Sequence, residues 1–206
     1  MGSPNTCKVA LKEWAVTLLS FDRGEQIVLL RKGGISEESK EFHVIHNEFL
    51  LYPTFQHQRE ELLKPAYRAN LCQVGAHPFD PNFITFTHWA RVEEVIEVTE
   101  QRKIDHLDPY HIWTNDYAQQ RLHWKPKKSL CVLLLRVFRM DDSQTVPNRA
   151  EYDGCKSWVT LESAVSIGKL KPVLSLDIFR RKVAEVRNSL GLLSGFGKQS
   201  DKHHIA

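Results

Sequence analysis

The spacing of apolar positions changes along the chain, and each change predicts an element. Leu11, Trp14, Ala15, Leu18 and Leu19 recur at helical intervals, which predicts a helix over 11–19 broken by Asp22-Arg23-Gly24. The apolar run at 26–31 predicts a buried strand, ended by Lys32-Gly33-Gly34, where two glycines can take positive φ. Residues 49–52 predict a second strand stopped by Pro53. Phe55, Arg59, Leu62 and Leu63 predict a brief helix stopped at Lys64-Pro65.

Residues 83–89 and 91–99 predict two strands with a kink at Ala90, the second half-exposed because valines and isoleucine alternate with Glu93 and Glu97. Thr114 or Asn115 is placed to cap a helix running to Trp124. The stretch 130–140 (LCVLLLRVFRM) is the strongest strand signal, and its continuity predicts burial on both faces. A last strand is predicted at 157–161. Ser175 then caps a helix carrying Phe179, Val183, Val186 and Leu190, closed by Gly191. Strands and helices do not alternate regularly. The expected class is α+β: one domain over 8–191, with a small mixed or antiparallel sheet or partial barrel, helices packed at both chain ends, and a flexible tail over 192–206.

Composition agrees with a single domain. The 206 residues are 42% hydrophobic and 26% charged, with ten Phe, five Tyr and five Trp to fill a core. That excludes a disordered or collagen-like chain, and no run is long enough for a membrane helix. The four cysteines are scattered without a C-x-x-C pair, and the first residues lack a signal-peptide pattern, so a cytoplasmic protein with free thiols is expected.

The net charge of +3 decides little, but its distribution is uneven. Residues 93–116 hold seven carboxylates against Arg102 and Lys103, whereas 117–140 hold six cations and no acid. Those cations are Arg121, Lys125, Lys127, Lys128, Arg136 and Arg139, with Trp124 among them. A basic run with an embedded aromatic can track phosphates and stack on a base. Arg136 interrupts an apolar strand, and a buried guanidinium needs an anion or a carboxylate. A solvated loop pairing with the preceding acidic stretch is the plainer reading.

Other candidates follow from position. Arg31, Lys32, Gly33 and Gly34 put two cations and a flexible turn at a strand end, where backbone N–H groups can cradle a phosphate. Tyr52 ends a strand, and Thr54 would cap a helix whose first turn holds His57 and Gln58. His111, Trp113 and Thr114 fall together at a helix start. His43 and His46 would point to opposite faces of an extended segment, so no metal or other cofactor is expected.

The strings ALKEWAV (10–16), LLRKGGI (29–35), FLLYPT (49–54), HQ (57–58), LKP (63–65), HIWT (111–114) and LLLRVFR (133–139) resemble domain-of-unknown-function family 1802, from about Lys8 to Leu190. That resemblance implies no mechanism. A Trp-bearing helix, then Gly24, then a strand ending in Arg31 also looks like the opening of the ASCH branch of PUA-like domains. This second likeness implies a helix packed over a small barrel and a basic cleft facing nucleic acid or a modified nucleoside.

The leading expectation is therefore binding of nucleic acid or a nucleotide-like anion. Arg31, Lys32, Arg121, Lys125 and Arg136 would contact phosphates, and Tyr52, Trp113 or Trp124 would stack on a base. A hydrolase acting on a phosphate ester or an amide is the alternative, with His57 or His111 as base, Thr54 beside them, and Arg31 or Lys32 as clamp. A non-catalytic protein-interaction domain, its partner unspecified, is the third.

Overall fold

The computed structural model describes residues 5–32, 44–76, 80–124, 128–154 and 156–192. Gly33, Gly34, His43, Lys125 and most of the predicted tail lie outside them. The elements in chain order are β1 (Thr6–Trp14), α1 (Ala15–Asp22), β2 (Val28–Arg31), β3 (Glu48–Thr54), α2 (Pro65–Gly75), β4 (Phe83–Val98), α3 (Gln101–His106), α4 (Asn115–His123), β5 (Leu130–Pro147), β6 (Trp158–Ser166), β7 (Leu170–Pro172) and α5 (Leu176–Ser189).

The strands form one mixed sheet in the order β2-β5-β4-β3-β1-β6, with β7 also pairing β5. β1 and β3 are parallel and the other pairs antiparallel. The α+β class is as expected. Successive residues feed two cores. Leu11, Phe49, Leu51 and Ala90 join the first, with side chains from α1, α3, α4 and α5. Ala10, Leu50, Tyr52 and Trp89 join the second, with Met140, Val159 and Leu161. This period-two division shows a sheet buried on both faces. Phe86 and Trp89 are sealed in the second core, and truncating either to alanine should cost about 3–5 kcal/mol.

Several boundaries differ from the sequence reading for physical reasons. The predicted helix over 11–19 is a strand up to Trp14 and a helix only from Ala15. Ala10 and Leu11 are both fully buried, on opposite faces, which a strand between two neighbours achieves and a surface helix does not. Pro53 lies inside β3 instead of stopping it. β4 pairs only with Glu48–Leu50, so the missing N–H of Pro53 falls beyond that ladder. Lys64-Pro65, read as a stop, opens α2, with Pro65 in the first turn where its absent N–H costs nothing.

The expected break at Ala90 is absent. β4 runs through it and bends at bulges between Phe86 and His88 and between Val92 and Glu94. β5 also extends past Met140 to Pro147, a length its apolar run alone did not mark. Two predicted caps are present. The Thr114 hydroxyl accepts from the Tyr117 N–H at 3.2 Å, and the Ser175 hydroxyl from the Ile178 N–H at 3.4 Å. Among the described residues no helix is long and apolar enough to cross a membrane.

Candidate functional site

β3 and β4 separate beyond one point. Their ladder ends at Leu50 opposite Trp89, while β1 stays paired with β3 to Thr54 and β4 stays paired with β5 back to Phe83. The splay leaves Tyr52–Gln56 facing Phe83–His88 across a gap, with α1 alongside. The result is a hollow of about 560 Å³. That volume suits a small organic ligand.

Its walls combine rings with a few polar groups. Tyr52, Phe55 and Phe83 line it, and Phe83 is 49% exposed. The Tyr52 hydroxyl donates to Asn148 Oδ1 at 3.2 Å. Burial, reinforced by the charge of Asp153, pushes that phenol up to about 12. Lys12 donates to the carbonyls of Tyr152 and Gly154 and lies 5.4 Å from the Tyr52 ring centre. The Gln56 side chain is exposed and its carboxamide makes no hydrogen bond among the described residues. Among the described residues, Asp22, Asp80 and Asp153 are the carboxylates of the lining and Lys12 its cation.

One wall carries a polar relay. His88 Nε2 sits 2.7 Å from Asp22 Oδ1, and the Thr87 hydroxyl sits 2.8 Å from His88 Nδ1. Thr87 and His88 are chain neighbours that would face opposite ways in a regular strand, and the bulge beside them lets both reach one side. Arg139 also donates to Asp22, at its carboxylate and its carbonyl. Burial works against ionisation of Asp22, but Arg139 and His88 outweigh it and hold the carboxyl below its usual range. Burial lowers the His88 pKa, with the Asp22 bond offsetting part of that shift. The neutral ring then donates from Nε2 to Asp22 and accepts the Thr87 proton at Nδ1.

Of the residues singled out from the sequence, Tyr52 and Thr54 line the hollow, and the Thr54 hydroxyl donates to the Glu13 carbonyl at 3.1 Å. Gln58 sits behind it, its side-chain oxygen accepting from the Val16 N–H at 2.9 Å as a tie for the start of α1. His57 is exposed at φ 62 and His111 is buried, and neither lines the hollow. Burial pushes His111 down to about 4, and its Nδ1 donates to the Trp113 carbonyl at 3.1 Å. The predicted shared pocket of His57, His111 and Arg31 is not formed by the lining of this hollow.

The expected gathering of cations also does not occur there. Arg31 donates to the Lys12 carbonyl and pairs with Glu13 at 3.5 Å, both side chains nearly buried. Lys32 is buried against the Leu122 carbonyl. Arg121 donates to the Tyr117 hydroxyl at 2.9 Å and covers that ring. Trp113 is core, 5.7 Å from the Tyr117 ring. Trp124 is the partly exposed C-cap of α4. Arg136 lies against Phe138 and Phe179. Arg31, Lys32 and Arg121 each found a local carbonyl, carboxylate or hydroxyl, because a guanidinium or ammonium in a mostly apolar wall must be satisfied where it stands, whereas Arg136 found only rings.

Asp22, His88, Phe83 and Asn148 were not singled out from the sequence. A histidine inside a predicted strand was the one available signal, and nothing local ties it to an aspartate in a helix-ending Asp-Arg-Gly turn. Among the described residues no group of three or more His, Cys, Asp or Glu is arranged to hold a metal.

No curated protein matches this chain significantly. Among solved structures it is similar to a mutant form of the ASCH protein ZmASCH from Zymomonas mobilis. The TM-score is 0.41 and the identity 10%, over 88% of this chain and 98% of that one. The family model described as Domain of unknown function (DUF1802) matches residues 10–185, and the chain belongs to that family.

Proposed function

We propose that the protein binds an unpaired nucleotide or nucleoside, taking the base into the hollow between β3 and β4. The observation that carries this reading is the half-exposed ring of Phe83 lining the same cavity as Tyr52 and Phe55, beside the unengaged carboxamide of Gln56. Aromatic faces stack on any base, and a side-chain amide reads the donor–acceptor pattern of a base edge. With Lys12 as its cation against three aspartates, the lining favours a base over a polyphosphate. Nucleic-acid recognition of this kind places the base, not the backbone, at the centre of the site.

The test is amide chemical-shift mapping with the four common ribonucleosides. Saturable shifts at Thr85, Thr87, His88 and Asn148 are expected. Shifts confined to α4 near Arg121 and Trp124 would contradict the reading.

Hydrolysis is a second reading, supported by the Asp22–His88–Thr87 relay on the cavity wall. His88 Nδ1 would take the Thr87 proton as the hydroxyl oxygen bonds to an ester carbon or phosphorus; the substrate's ester bond breaks, the alcohol leaves with that proton, and water then cleaves the ester left on Thr87. Turnover of model esters that disappears in both Thr87→Val and His88→Gln is expected. Turnover retained in Thr87→Val would remove this reading.

A further inference from the structure

Arg91 and Arg136 are direct partners in the antiparallel ladder of β4 and β5. Directly opposed residues leave the sheet on the same face with their β-carbons about 5 Å apart. Two like charges so placed destabilise the pair unless something of opposite charge lies between them. Among the described residues neither guanidinium takes part in an ion pair or a side-chain hydrogen bond. The Arg136 Nε is buried without a partner, and the head group lies 5.3 Å from the Phe138 ring centre and 5.9 Å from that of Phe179.

The charges around this pair leave it in excess. Glu48 is the partner of Arg91 on β3, and it pairs with neither arginine among the described residues. Glu94, one step along β4, is occupied by Arg187 of α5. The neighbouring row, Leu50–Trp89–Phe138, is apolar and separates the pair from the hollow. Two arginines opposed in the ladder, one with its head group against phenyl rings, offer a fork for an oxyanion, since guanidinium groups bind such anions bidentately and bind them better out of water.

We infer that Arg91 and Arg136 together receive a phosphate group, as a site distinct from the hollow and independent of what the hollow holds. The phosphate supplies the missing negative charge between the opposed cations, and it offers acceptors to the terminal nitrogens of Arg136, which unlike its Nε are not buried. A small phosphate ester and the backbone of a nucleic-acid strand present the same chemistry.

The experiment compares the protein with Arg91→Gln and Arg136→Gln by thermal melting and calorimetric titration, at constant ionic strength in chloride. Inorganic phosphate is titrated in one arm and a short single-stranded oligonucleotide in the other. Saturable binding in at least one arm is expected, weakened about tenfold or more by each substitution, the effect of losing a charge-assisted hydrogen bond. Binding in the phosphate arm assigns the site to a small phosphate, and binding in the oligonucleotide arm alone assigns it to a strand. Without ligand, Arg91→Gln is expected to melt at or above the wild type, because repulsion across the ladder is relieved. Absence of binding in both arms, unchanged affinity in both variants, or a lowered melting temperature of ligand-free Arg91→Gln would overturn the inference.

Discussion

Asp22 and His88 meet at 2.7 Å although 66 residues separate them in the chain. The contact joins the end of α1 to the bulge of β4 and closes one wall of the hollow. It also sets a pH response. Burial lowers the His88 pKa, so the native state takes up a proton less readily than the unfolded chain does. Its stabilising effect is full above the ordinary histidine value and is lost as pH falls below it. His88 should therefore titrate below free histidine in a proton-detected NMR titration. In Asp22→Asn it should titrate lower still, because the carboxylate that favours the imidazolium is gone. An unchanged His88 titration in that variant would mean the contact is not maintained in solution.

His111 should dominate the acid sensitivity of the fold. Its pKa is pushed to about 4, first by burial and then by the nearby charge of Lys64. A depressed histidine contributes nothing below both values and its full amount above 6.5. Between the two, about 3 kcal/mol of stability should disappear as pH falls. Urea unfolding at a series of pH values measures this. In His111→Asn, which keeps a donor for the Trp113 carbonyl, the slope between pH 6.5 and 4 should flatten.

The Glu13–Arg31 pair is held in place by its surroundings. The Glu13 carboxylate also accepts from the Trp14 N–H at 2.8 Å and the Thr17 hydroxyl at 3.3 Å. Removing one partner from a nearly buried pair strands the other, so Glu13→Gln should cost about 3 kcal/mol or more in denaturant unfolding. The Glu13→Leu/Arg31→Met double variant should lose much less than the sum of the two single losses. Additive losses would show that the two groups do not depend on each other.

Gly24 turns the chain from α1 toward β2 at φ 66, and a Cβ there would lie 2.5 Å from Leu174 Cδ2. A left-handed residue with a side chain costs about 1–2 kcal/mol before any displacement of leucine. Gly24→Ala should therefore lower the denaturant midpoint with an unchanged slope. A variant as stable as wild type would show that this turn relaxes freely.

These elements differ in how far the chain's own pattern announced them. The Thr114 and Ser175 caps and the doubly buried segment before Met140 were legible, because each depends on residues within a few positions of one another. The Leu11–Trp14 segment was not, since its apolar spacing satisfies a helix as well as a strand buried on both faces. Only its pairing with β3 and β6 decides between them. Tyr52 and Thr54 were recognised at a strand end, but the cavity beside them arises where β3 and β4 part, a long-range event. Arg136 stood out as an interruption in an apolar run. Its companion Arg91 did not, because a cross-strand register is invisible to local spacing.

Whether the hollow takes a base is decided by calorimetric titration with phosphate-free nucleosides. At low and at high salt, one-site binding of similar affinity is expected, since no phosphate takes part. Phe83→Ala should weaken it about tenfold or more, the loss of one stacking face. Absence of nucleoside binding, or binding that Phe83→Ala leaves untouched, would show that the hollow is not a base site.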